Sequence, residues 1–259
     1  MLVTATLRQF IKYRVRLKPI LQSILLRMKK FTILFIVLLI GIGVTKAQDS
    51  IKVKKHPNIQ FFLEGGGSLG SSTYSGVGAM QVDRFLGKKK KIIVGTGLRF
   101  TGFHGSDVNF TTAPANLTSN DENIDTLLAP TPHIYSANLM LNLGYQITDK
   151  FQAGFSIDLV GFSFGPTGSP RYIRSGKYKT VSAKPSSPNY LLTGDHDIGS
   201  LNSQFYLKYK FSKRFGAKLA YQYLFNELRT TTTVQTSPEA NNRFRNKDSS
   251  IYVGGFFNF

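Results

Sequence analysis

Residues 133–147 constrain what this chain can fold into more than its composition does. Tyr135, Ala137, Leu139, Leu141, Leu143, Tyr145 and Ile147 fall on one side of an extended strand. Ser136, Asn138, Met140, Asn142, Gly144 and Gln146 fall on the other, because successive side chains of a β-strand point to opposite faces. A half-buried strand of a soluble sandwich alternates in the same way. Here, however, two tyrosines bracket the apolar side. At ~3.3 Å per residue and a tilt of about 45°, their separation is roughly 23 Å, close to the height of a lipid-facing band with aromatic rings at its edges. A membrane explains that spacing better than a soluble core does.

The pattern recurs. Phe151, Ala153, Phe155, Ile157 and Leu159 oppose Gln152, Gly154, Ser156 and Asp158. Leu201, Ser203, Phe205, Leu207, Tyr209 and Phe211 oppose Asn202, Gln204, Tyr206, Lys208 and Lys210. Phe215, Ala217, Leu219, Tyr221, Tyr223 and Phe225 oppose Gly216, Lys218, Gln222 and Asn226. Ile92, Val94, Thr96, Leu98 and Phe100 oppose Gly95, Gly97, Arg99 and Thr101, and Ile59, Phe61 and Leu63 oppose Gln60, Phe62 and Glu64. At the end of the chain, Ile251, Val253, Gly255, Phe257 and Phe259 share a face. In residues 74–85 neither phase is cleanly apolar, and a bulge is expected there.

The connections separate into two kinds. Residues 86–91, 148–150 and 212–214 are tight polar turns. Residues 105–132, 164–197 and 229–247 are long and rich in Pro, Ser, Thr and Asn, and residues 70–75 are the one short link on that side. Short turns on one side and long loops on the other predict an all-β fold, an eight-stranded antiparallel up-and-down transmembrane β-barrel over residues 48–259. The final strand, ending on the aromatic Phe259, resembles the terminal strand of bacterial outer-membrane barrels. The whole segment resembles the small outer-membrane β-barrel proteins, OmpA/OmpX-like and often described as porin-family. That resemblance implies a Gram-negative outer-membrane location with both termini periplasmic. It also implies recognition of Phe259 by the barrel-insertion machinery, and contact with outer-membrane lipid and lipopolysaccharide. A monomer without cofactor is expected. Tyr135, Tyr145, Tyr209, Phe211, Tyr221, Tyr223, Phe257 and Phe259 are the expected aromatic girdle.

The front of the chain reads as an address. Met28-Lys29-Lys30 precedes an apolar run over residues 31–44 and the small-x-small site ending at Ala47, the layout of a secretory signal over residues 28–47. The run is short of the ~20 residues of a spanning helix. Residues 1–27 are expected to be an upstream extension that is not translated, with Met28 as the start. Nine of the 33 Lys and Arg and none of the 14 acidic residues precede residue 48, so the remainder carries +10 rather than +19. For a secreted chain this basic excess does not argue for nucleic acid. The absence of cysteine excludes disulfides, thiol chemistry and a lipoprotein anchor.

Several groups could carry chemistry. The alternation points Glu64, Arg99, Asp158, Lys208, Lys210 and Lys218 into the lumen, where charges must be paired or hydrated. A salt-bridge and water network that plugs the barrel is the first expectation. A narrow anion-preferring path along Arg99, Lys208, Lys210 and Lys218 is the second. His104, His133 and His196 lie near strand ends with Asp107, Asp195 and Asp197, but their spacing matches no compact metal motif and no metal is expected. His104-Gly105-Ser106 resembles the His-x-Ser element of outer-membrane lipid A deacylases. It sits at a loop boundary, however, and the next strand offers no outward carboxylate to orient the histidine. Residues 105–132 carry Asp107, Asp121, Glu122 and Asp125 and no basic residue; residues 164–197 carry Arg171, Arg174, Lys177, Lys179 and Lys184. The latter five suit anions such as phosphate or acidic sugars of lipopolysaccharide. The function expected is non-enzymatic, structural or surface-interacting through the long loops. A narrow solute channel and a lipid A hydrolase are the alternatives.

Overall fold

The structure, a computed structural model, describes residues 58–192 and 196–259. The upstream extension and the signal lie outside the described residues. Eight long strands make the wall: β1 (Ile59–Leu69), β2 (Thr73–Leu86), β3 (Ile92–Gly105), β6 (His133–Gln146), β7 (Phe151–Phe164), β12 (Leu201–Lys210), β13 (Phe215–Thr230) and β14 (Arg243–Asn258). Each pairs antiparallel with the next in that order. The ring closes where β14 returns to β1, from Phe62 opposite Asn258 to Leu69 opposite Ile251. The Phe259 amide donates to Phe61 O at 3.1 Å, completing the seam. Closure leaves the wall without a free edge, the arrangement a sheet needs when no water is present to satisfy its backbone.

The polarity of this barrel is inverted relative to a soluble protein. Phe61, Met80, Leu98, Phe100, Leu139, Leu143, Phe205, Leu219, Ile251 and Val253 are all exposed on the outside. Gln60, Glu64, Gln81, Asp83, Arg99, Asn138, Asn142, Asp158, Gln204, Lys208, Lys218 and Gln222 are buried inside. An apolar exterior of this extent would not stay dispersed in water, and it is the surface that lipid covers. Outward aromatics gather toward both ends. Phe151–Tyr209, Phe215–Phe257 and Phe257–Phe259 lie near the turns, with centroids 4.8, 5.1 and 4.9 Å apart. Tyr135 stacks on Phe164 near the loops at 5.7 Å. Tyr145 and Phe211 are exposed at the turn end. Tyr221 and Tyr223 follow one another up the outward face of β13.

Two expectations are corrected. The bulge is not in residues 74–85: β2 pairs one-to-one with both neighbours throughout. It lies in β7, where Leu139 opposes Val160 but Met140 opposes Asp158. The extra residue, Leu159, flips the phase, so that Val160, Phe162 and Phe164 face outward beyond it. The long connections are also more ordered than their composition suggests. β13 and β14 stay paired up to Arg229 opposite Arg243, which shortens the connection assigned to residues 229–247. Residues 105–132 form β4 (Val108–Thr112), the one-turn helix α1 (Ala115–Thr118) and β5 (Thr126–Ala129); residues 164–197 form β8 (Arg171–Arg174), β9 (Lys177–Thr180), β10 (Ala183–Pro185) and β11 (Asn189–Tyr190).

These short strands do two jobs. β12 is shorter than its neighbours, leaving a notch between β7 and β13 at the loop end. β10 fills it from one side, pairing with β13 over Leu228–Thr230, and β11 from the other, pairing with β7 at Val160 and Gly161. Meanwhile β4 pairs with β14, β5 with β4, β8 with β5 and β9 with β8. This side sheet forms a cap at the loop end, and β9 is its edge.

Candidate functional site

Inside the barrel the charged side chains assemble into closed groups. Glu64 (β1) meets Lys218 (β13) at 2.6 Å and Lys208 (β12) at 3.4 Å, and Tyr252 (β14) donates its hydroxyl to Glu64 Oε1 at 3.3 Å. Lys218 Nζ also donates to Gln204 Oε1 at 2.6 Å. The Lys208 ammonium sits over the rings of Phe62, Tyr206 and Phe256 at 5.0, 5.2 and 5.4 Å, so aromatic faces supply part of its surroundings. Nearer the loops, Arg99 (β3) pairs with Asp158 (β7) at 3.1 Å and donates to Asn202 O at 2.8 Å and Ser156 Oγ at 2.5 Å. Asp158 Oδ2 accepts from Asn138 Nδ2 at 2.8 Å and from the Asn202 amide at 3.0 Å. Lys210 is half-buried at the turn end and donates to Gln60 Oε1 at 3.2 Å.

Residues that the sequence had not singled out join these groups. Asp83 accepts from Asn142 Nδ2 at 2.9 Å, and Tyr206 donates to Asn142 Oδ1 at 2.9 Å. Gln222 donates to Ser68 Oγ and Ser75 Oγ at 2.9 and 2.8 Å and accepts from Gln204 at 2.9 Å. The Tyr206 ring lies across Gly144 and Gly154; a Cβ on Gly154 would fall 2.6 Å from Tyr206 Cζ. Glycine there lets a large side chain cross the narrow lumen. For Asn142, Gln204, Tyr206 and Gln222 the signal available was their phase opposite an apolar face; Ser68, Ser75 and Asp83 carried none.

Above the polar groups the lumen turns apolar. Phe103, Ile134, Leu224, Leu228 and Phe244 of the wall pack with Val108 and Phe110 of β4, Leu127 and Ala129 of β5, Tyr172 of β8, Val181, and Ala183 of β10. Phe110, Leu127 and Phe244 have no exposed surface. The loops therefore enter the barrel mouth and fill it with a buried apolar core. Outside this core, the Arg243 guanidinium grips Glu227 through Nε and Nη2, both at 2.8 Å, and Arg245 joins at 3.3 Å. This cluster locks β13 to β14 at the loop end.

The two loops of opposite sign meet rather than standing apart. Tyr172 donates to Asp125 Oδ2 at 2.5 Å, and Arg174 reaches the same oxygen at 3.4 Å and Ser237 O at 2.7 Å. Burial and the hydrogen bond to Asp125 push the Tyr172 hydroxyl up to about 12, so it stays a donor. Arg174 is thus spent on the cap itself. Arg171, Lys177, Lys179 and Tyr178 remain exposed on the β8–β9 hairpin, and Lys184 is exposed separately on β10.

His104 does not face Ser106 as a hydrolase dyad requires. Its Nδ1 lies 2.6 Å from His133 Nδ1, and its ring stacks on Tyr74. Ser106 is exposed, and its amide donates to Ser72 O at 3.0 Å. Among the described residues, the imidazole meets His133, Tyr74 and Tyr135 rather than a carboxylate, so the geometry lacks both contacts by which a base activates a hydroxyl. Among the described residues, no group of three or more His, Asp or Glu could hold a metal ion; Asp195 lies outside them.

No family model matches the chain, and no curated protein matches it. Solved structures do. The attachment invasion locus protein Ail of Yersinia pestis is 8% identical with a TM-score of 0.36, over 78% of this chain and 99% of Ail. Neisserial surface protein A is 9% identical with a TM-score of 0.35, over 78% of this chain and 96% of that one. The N-terminal β-barrel domain of Pseudomonas aeruginosa OprF is 13% identical with a TM-score of 0.32, over 78% and 98%. Judged from its own strand pairing and inverted polarity, the fold is a closed, eight-stranded antiparallel up-and-down transmembrane β-barrel.

Proposed function

We propose that the protein is a non-conducting, non-enzymatic barrel of the bacterial outer membrane that acts through its loop-end cap at the cell surface. Its termini lie on the periplasmic side, and Phe259 is the residue read by the insertion machinery. The observation that carries this reading is the sealed lumen. Arg99, Lys208 and Lys218 each face an anion, Asp158 or Glu64, and a buried apolar cluster lies above them. An ion moving through would have to break buried charge pairs and enter an apolar plug, and both steps are strongly unfavourable. With the lumen closed, the surface left for interaction is the cap.

The cap's exposed cations point to an anionic partner, the phosphates and acidic sugars of lipopolysaccharide. Arg171, Lys177 and Lys179 carry this contact, with Tyr178, 73% exposed, beside them. Arg174 does not, because it is tied to Asp125. In the test, the barrel is isolated from the outer-membrane fraction of a Gram-negative host, and its heat-dependent gel mobility confirms folding. Lipopolysaccharide binding by the Arg171→Ala/Lys177→Ala/Lys179→Ala variant is expected to be about tenfold weaker at low salt. Arg174→Ala is the comparison: its loss should loosen the cap rather than remove a contact. Unchanged affinity in the triple variant would count against the hairpin as the binding surface.

A further inference from the structure

The strand register brings together two side chains that the sequence separates. His104, near the end of β3, is paired directly opposite His133, the first residue of β6. Both lie on the outward face, in line with Phe100 and Tyr135. Their Nδ1 atoms are 2.6 Å apart and their rings meet edge to face at 4.8 Å. Tyr74 stacks on His104 at 5.0 Å with the planes 14° apart, and Tyr135 meets the same ring at 5.5 Å in an edge contact. His133 also borders an open cavity of about 390 Å³ formed with Pro130, Pro132, Pro166 and Thr167. His133 can therefore be reached from the loop end.

We infer that His104 and His133 form a two-histidine chelate for a divalent transition cation of the zinc type on the outer rim of the barrel. Two facing imidazole nitrogens are the donors that Zn²⁺, Ni²⁺ and Cu²⁺ prefer over the hard cations Mg²⁺ and Ca²⁺. At Zn–N distances of ~2.0–2.1 Å in a tetrahedron the two nitrogens stand about 3.3 Å apart. The rings need to open by less than about 1 Å, a small torsional change for side chains at a strand end. One ring now donates a proton to the other; when both Nδ1 atoms bind metal, both rings carry their proton on Nε2, with no proton lost from the neutral pair. The Tyr74 and Tyr135 rings already hold His104 in place, so little side-chain freedom is lost on binding. No third His, Asp or Glu completes the set among the described residues. Two positions thus remain for water or an anionic group supplied from outside. The chelate is independent of the basic hairpin and of the sealed lumen.

The test uses barrel produced without a histidine tag, folded in detergent, and titrated calorimetrically with Zn²⁺ alone. Wild type is expected to bind one ion at this site with micromolar affinity, and His104→Ala and His133→Ala each to weaken it at least about tenfold. His196→Ala is expected to leave binding unchanged, and gel mobility with and without boiling confirms that each variant is folded. Lowering the pH should weaken binding progressively, because protons compete with the metal for the imidazole nitrogens. Equal affinity of wild type and the His104→Ala/His133→Ala double variant would overturn the inference. So would a pH-independent isotherm.

Discussion

Replacing Glu64 by alanine is expected to destabilise the folded barrel by about 3–5 kcal/mol. Among the described residues, Glu64 is the only carboxylate paired with both Lys208 and Lys218, at 3.4 and 2.6 Å, and all three side chains are buried. Its removal leaves two ammonium groups in a closed interior. The rings around Lys208 soften that cost but do not replace a counter-charge. Urea unfolding in lipid vesicles, followed by circular dichroism, reads the change. A second variant separates charge from packing. If unpaired charge is the cause, Glu64→Leu combined with Lys208→Met and Lys218→Met should recover most of the lost stability, since apolar groups of similar volume can replace a buried ion cluster. A triple variant as unstable as Glu64→Ala would mean that the defect lies in shape rather than charge.

Phe244→Ala is expected to cost about 3–5 kcal/mol, but locally, in the cap. Phe244 has no exposed surface. It sits on β14 opposite Leu228 of the wall and Thr112 of β4, and its ring meets Tyr172 edge-on at 5.9 Å. It therefore holds both loop systems to the barrel mouth. Truncation should expose residues 106–132 and 165–199 to protease while the wall keeps its resistance to SDS before boiling. Loss of that resistance at the same urea concentration as the cleavage would contradict this, because cap and wall would then unfold as one unit.

The wall was legible in the sequence wherever one phase was plainly apolar, as in β6, β12 and the lower part of β13. Lipid enforces that contrast on the outward residues. β2 defeated the same logic because the lumen does not impose one polarity: Val77, Ala79 and Phe85 point inward beside Gln81 and Asp83, while Gly76, Gly78 and Arg84 face out. The β7 bulge hid for a related reason. Leu159 and Val160 are both apolar, so the phase flip left no mark in the composition. The inward direction of Glu64, Asp158, Arg99, Lys208 and Lys218 followed from alternation alone, but their partners did not. Glu64 and Lys218 are separated by β14 in the ring, and only the curvature of a narrow barrel lets them meet.

The cap was harder to read. Val108 and Phe110 do alternate with polar neighbours, whereas Leu127, Leu128 and Ala129 form an unbroken apolar run, and both stretches are short and sit among prolines, serines and asparagines typical of open loops. What orders them is burial in the barrel mouth, a tertiary effect that local pattern does not encode. Arg174 illustrates the consequence. Counted with the exposed cations by sequence, it is half-buried and tied to Asp125 from the other loop. The His104–His133 pair was hidden in the same manner, since opposition across β3 and β6 depends on a register that the spacing along the chain does not display.

A sealed barrel passes no ions, and planar-bilayer recording of the folded, purified wild-type protein reads this. The paired lumen charges and the apolar plug predict no reproducible single-channel step at moderate voltage. A stable conductance with anion preference, reversed or reduced by Lys208→Glu and Lys210→Glu, would contradict the account and identify a narrow channel instead.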